Sequence, residues 1–131
     1  MMIAVDTNVL ARYLLNDDPD QAKAAARLLG GRELLNIPLT VWLELVWVLQ
    51  INDCGKPEII KGLRHIIGLP SIRLRALDVF FRALSWYEQG MDFGDAMHLA
   101  MSAGNERFAS FDKALTKMAA KIGASPRVTQ L

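Results

Sequence analysis

The sequence has one cysteine, Cys54, so an internal disulfide is excluded and a reducing compartment suits the chain. Nothing around Cys54 has metal-ligand spacing, and it reads as a bystander. Charge of one sign is also lacking. Fifteen Lys+Arg against fourteen Asp+Glu leave a net charge of +1, which excludes a strongly basic nucleic-acid coat but not a local basic patch. Long apolar runs are missing too. The longest, Val41 to Ile51, is broken by Glu44 and Gln50 and is far shorter than the ~20 residues a membrane span needs. The first residues, Met1 to Asp6, carry no charged region, long apolar stretch or cleavage site of a secretion signal. The expectation is a soluble, cytoplasmic protein with no membrane segment. No Gly-x-x-x-x-Gly-Lys-Ser/Thr, Gly-x-Gly-x-x-Gly or Gly-x-Ser-x-Gly pattern occurs, and no Cys/His nucleophilic pair is suggested.

What is present is a chain of 131 residues, 52% of them hydrophobic, enough for one domain over 1–131 with a sizeable core. Short apolar segments at Met2–Val5, Leu34–Ile37, Ile72–Leu74, Arg107–Ala109 and Arg127–Thr129 read as strands. Between them run helical patterns: Asn8 to Leu15, Asp20 to Leu29, Leu39 to Asn52, Pro57 to Gly68, Asp78 to Gln89, Asp92 to Ala103 and Lys113 to Ile122. Gly30, Gly55, Gly90 and Gly104 punctuate these segments. Buried strands alternating with helices indicate an α/β fold, a three-layer α/β/α sandwich with a mainly parallel central sheet. In such sheets, sites lie beyond the carboxyl ends of the strands.

Several acids stand at such places. Asp6 ends the first strand, and helix capping, shared with Asn8, is its simplest role. The alternative is a carboxylate aimed above the sheet and oriented by Thr7 and Asn8. Glu44 lies in a helix apolar on nearly every side, which predicts burial, and a buried carboxylate needs a cation or a proton. Asp92 and Asp95 open the helix after Gly90. Asp92 suits an N-cap or an outer position, whereas Asp95 adjoins the small-residue face of Ala96, Leu99, Ala100 and Ala103 and points inward. Asp112 again follows a strand and precedes a helix. Capping explains each of these positions except Glu44; a shared divalent ion explains all of them, since Mg²⁺ takes hard oxygen ligands. His98 shares a helix face with Asp95 but lacks a second histidine, so it and His65 read as structural. Trp42, Trp47 and Trp86 fall in apolar helical stretches and read as core.

Four segments in this order resemble the PIN-domain family, and within it the VapC-type toxins of toxin–antitoxin pairs. They are Ile3-Ala4-Val5-Asp6-Thr7-Asn8-Val9-Leu10, Thr40-Val41-Trp42-Leu43-Glu44, Asp92-Phe93-Gly94-Asp95-Ala96-Met97-His98-Leu99-Ala100 and Ala109-Ser110-Phe111-Asp112-Lys113. The resemblance implies a parallel-sheet α/β/α sandwich, Mg²⁺- or Mn²⁺-dependent endoribonuclease activity, a homodimer and inhibition by a cognate antitoxin protein. It makes Asp6, Glu44, Asp95 and Asp112 the acidic quartet, catalytic and metal-holding. Thr7, Asn8 and Ser110 become supporting polar positions, and Asp92 becomes an additional acid near the metal. Arg12, Arg107 and Lys113 are the nearby cations that would contact RNA phosphates. Two other readings stay open. One is a haloacid-dehalogenase-like phosphohydrolase, whose chemistry wants a second aspartate at position 8, where this chain has Asn8. The other is a non-catalytic RNA- or partner-binding module, against which the complete acid set argues.

Overall fold

The computed structural model describes all residues 1–131. The chain divides into two compact units, Met1–Arg75 and Ala76–Leu131, each described by itself.

In the first unit, β1 (Ile3–Ala4) is followed by α1 (Thr7–Leu15), α2 (Pro19–Leu29), β2 (Leu35–Asn36), α3 (Leu39–Ile51) and α4 (Lys56–Ile67). Parallel strands need a crossover, and α1 with α2 supplies it between β1 and β2. The register sets Ile3 against Leu35 and Ala4 against Asn36. The expected third strand contracts to a single parallel bridge between Leu35 and Ile72. There the Leu35 N–H donates to the Ser71 carbonyl, and the Arg73 N–H donates to the Leu35 carbonyl, both at 2.8 Å. Local signals set the helix ends. The Asp18 side chain accepts from the Gln21 N–H at 3.1 Å, and Pro19 occupies the first turn of α2, where its missing N–H costs nothing. Leu10, Leu29, Leu35, Trp42, Leu45, Leu63 and Ile66 are fully buried.

Helix α3 departs from expectation. Val41, Trp42, Leu45, Val46 and Leu49 are buried, but Thr40, Glu44, Trp47 and Ile51 form an exposed strip spaced four, three and four residues apart. Trp47 is 61% exposed and Ile51 59%. A 3.6-residue period turns only one face inward, so an apolar surplus does not bury the whole circumference. Trp42 and Trp86 are core, as expected; Trp47 is not.

The second unit runs α5 (Leu77–Glu88), α6 (Phe93–Ala100), β3 (Arg107–Ser110), α7 (Lys113–Ile122) and β4 (Arg127–Gln130). Strands β3 and β4 pair in parallel across α7, from Arg107 opposite Arg127 to Ser110 opposite Gln130. Parallel strands are thus present as two hydrogen-bonded ladders, one in each unit. Helices α5 and α6 pack through small residues, with Ala83, Ala96 and Ala100 buried, and Tyr87 meets Phe93 edge to face at 5.3 Å. Helix α6 stops at Ala100 rather than Ala103, and a turn continues to Gly104. No helix is long and apolar enough to cross a membrane.

Candidate active site

The chain enters α6 through Gly90 at φ +116°, a conformation that glycine alone adopts without steric cost. Asp92 then caps the helix, its Oδ2 accepting the Asp95 N–H at 3.1 Å. At the other corner of the unit, Asp112 caps α7, its Oδ1 accepting the Leu115 N–H at 3.1 Å. The Asp112 N–H donates in turn to the Ser110 hydroxyl at 3.0 Å, so Ser110 fixes the turn from β3 into α7. Asp92, Asp95 and Asp112 line one cavity of about 260 Å³, walled on its apolar side by Met91, Leu115 and Met118.

Asp95 is the half-buried member, and no protein group bonds its carboxylate. Burial pushes this carboxyl above its ordinary value of 3.8, the negative charges of Asp92 and Asp112 push it the same way, and His98 opposes them. His98 is exposed, so it acts on Asp95 from the solvent side rather than as a core residue.

The first unit carries the other acids. Asp6 is exposed and caps α1, its Oδ1 accepting the Thr7 N–H at 2.8 Å. Thr7 therefore orients Asp6 through its backbone, while its own hydroxyl is buried without a hydrogen-bond partner. Asn8 is exposed beside Arg12 in a groove between α1 and α2. Glu44 lies on the exposed strip of α3 and pairs with no cation. This corrects the sequence reading: water solvates the Glu44 charge, so burial does not oblige it to find a metal. Arg12 is held by Asp17 at 2.8 Å and by Gln21 at 2.9 Å. Arg107 begins β3, five residues before Asp112 and so on the order of 15 Å away along an extended strand. Lys113 opens α7 next to Asp112.

The PIN-domain family model matches residues 3–121, nearly the whole chain. The chain is a PIN domain. No curated protein matches it. PIN domains are an α/β fold and are generally metal-dependent nucleases acting on RNA, and the parallel strands and seven helices agree with that fold.

The second unit of this PIN domain offers a divalent ion the carboxylate oxygens of Asp92, Asp95 and Asp112. No three Asp, Glu, His or Cys side chains are gathered closely enough to make a ready coordination shell. Mg²⁺ does not require one, since it commonly takes one or two carboxylates and completes its shell with water. Asp92 and Asp112 each use one oxygen for a cap and leave the other unbonded, and Asp95 leaves both. Capping and metal holding are therefore compatible roles for one carboxylate. The donors are hard oxygens and the cavity, at about 260 Å³, has room for an ion with several waters, which fits Mg²⁺ or Mn²⁺ and not a closed zinc centre. Sequence reasoning missed the apolar wall. Leu115 and Met118 stand three residues apart on one face of α7, a spacing that marks a contact face without saying what it contacts.

Proposed function

We propose that this PIN domain is a Mg²⁺- or Mn²⁺-dependent endoribonuclease and the toxin of a toxin–antitoxin pair, working in the cytoplasm as a homodimer of single domains of 1–131. The observation that carries the reading is the convergence of Asp92, Asp95 and Asp112 on one cavity, with the charged form of Asp95 disfavoured there. Uncompensated, that much negative charge repels an RNA backbone and destabilises the fold; a divalent cation relieves both. Bound there, the metal supplies charge neutralisation at the phosphate and a more acidic water.

The protein groups divide the remaining work. Asp95 and Asp112 would hold the cation, and Asp92 stands beside them as a further acid of the same cavity. Ser110 keeps Asp112 at its corner, because losing the hydroxyl frees the Asp112 N–H. Leu115, Met91 and Met118 narrow access for bulk water and strengthen every charge in the cavity. The family pattern adds Asp6, supported by Thr7 and Asn8, and Glu44 to the acid set.

The test is RNA cleavage by the purified chain with Mg²⁺ or Mn²⁺ and with EDTA, paired with expression of wild type and Asp6→Ala in a bacterial host. The reading expects EDTA-sensitive cleavage internal to the strand, and toxicity that Asp6→Ala removes. Cleavage indifferent to EDTA would overturn the metal assignment, and a harmless wild type that cleaves RNA in vitro would overturn the toxin assignment.

A further inference from the structure

Helix α7 carries Lys113, Lys117 and Lys121 at four-residue intervals, all exposed. At about 100° per residue they fall within an arc of roughly 80° on the side opposite the buried Leu115 and Ala119. Ala114 and Met118, which line the carboxylate cavity, border that arc. The helix contains no acid, and no carboxylate pairs with these lysines. Helix stability favours only Lys121, in the last turn; like charges four residues apart destabilise a helix, and Lys113 sits at the positive end of the helix dipole. Immediately before the stripe, Phe111 is 79% exposed, an apolar ring left in water directly beside Asp112.

We propose that this outer face of α7 is a track for single-stranded RNA, with phosphates on Lys113, Lys117 and Lys121 and one base stacked on Phe111, delivering the adjoining phosphate to the carboxylate cavity. The inference rests on the nuclease reading for its purpose, although the binding itself does not require cleavage. Successive lysines are about 6 Å apart along the helix axis, a step that suits neighbouring phosphates of an extended strand. Stacking on an exposed aromatic is indifferent to sequence, because every base has a π-face. A purely acidic chain such as poly-glutamate would use the lysines equally well but offers no ring to stack on Phe111, and this favours RNA.

The experiment measures binding of fluorescein-labelled oligoadenylate to the full chain by fluorescence anisotropy in EDTA, across a salt series. Lys117→Ala with Lys121→Ala is compared with wild type, with Phe111→Ala, and with a control pair on the other unit, Lys23→Ala with Lys61→Ala. The track predicts that the α7 pair lowers the slope of log K against log salt by about 1.4, two phosphate contacts at about 0.7 each. Phe111→Ala is expected to weaken binding by about tenfold with the slope unchanged, as loss of one stacking platform does. All five substituted positions are exposed, so every variant folds cooperatively with a melting temperature no lower than a few degrees below wild type. An α7 pair that binds like wild type, or a control pair that loses as much, overturns the proposal. So does a poly-glutamate competitor that displaces RNA while Phe111→Ala has no effect, since the face would then belong to an acidic protein. If the slope falls as predicted but no condition gives cleavage, the track stands and the nuclease reading fails; cleavage with an unchanged slope fails the track alone.

Discussion

Asp6 in the first unit and Asp112 in the second do the same local work: each follows a short strand and caps the next helix with one carboxylate oxygen. Their surroundings differ. Asp6 stands in solvent beside a buried threonine hydroxyl that has no partner. Asp112 shares a cavity with Asp92 and with Asp95, whose charge is disfavoured by burial and by both neighbours. Capping is a common role for an acid and carries no functional information by itself. Asp95, which caps nothing and lies between two capping acids, is what makes this pair of helix starts a candidate site.

The largest effect tests that third acid. Asp95→Asn is expected to slow RNA cleavage on the order of 100-fold or more, the scale of a preorganised charge acting on a transition state. Asp20→Asn, an exposed first-turn acid of α2 in the other unit, leaves the rate unchanged. Next comes the contrast between the two faces of α3, read by urea denaturation. Leu45→Ala, at a fully buried position, costs about 2–5 kcal/mol. Glu44→Gln, on the exposed strip, stays within about 0.5 kcal/mol of wild type while reducing cleavage.

The caps come third. Asp112→Ala and Asp6→Ala each lose about 1 kcal/mol, whereas the Asn variants lose little stability because Asn also caps. Both kinds of variant at Asp112 lose cleavage, so stability and activity separate at a single residue. The smallest effect is on metal-free stability. A carboxyl whose folded pKa is raised stabilises the fold fully below its ordinary 3.8, and that contribution is lost as pH rises through the raised value. In EDTA, Asp95→Asn therefore melts above wild type at neutral pH, and the gap closes as pH falls below 3.8.

Much of this was legible beforehand, for identifiable reasons. Helix boundaries were readable at Asp92 and Asp112 because caps act through neighbours in sequence, and the helix expected from Asp20 starts one residue earlier, at Pro19. The strands were placed well but drawn too long at β1 and β2, since pairing ends where the partner backbone ends, and that is not local information. Glu44 was misjudged because apolar composition was taken for burial, whereas exposure along α3 follows the geometry of one buried face. The recurrence of strand, acid and helix marked Asp6 and Asp112, but only folding shows Asp92 and Asp112 facing Asp95. Lys117 and Lys121 were passed over in the sequence, where lysines spaced by four read as an ordinary solvated face; the cavity lined by Ala114 and Met118 of the same helix is what draws notice to them.

The most direct test is calorimetric titration of Mn²⁺ into the metal-free chain and into Asp95→Asn. Saturable binding by wild type that is lost or sharply weakened in Asp95→Asn, with both proteins folded, is the predicted result. An Asp95→Asn protein that takes up Mn²⁺ as tightly as wild type would contradict the assignment of this cavity as the metal centre.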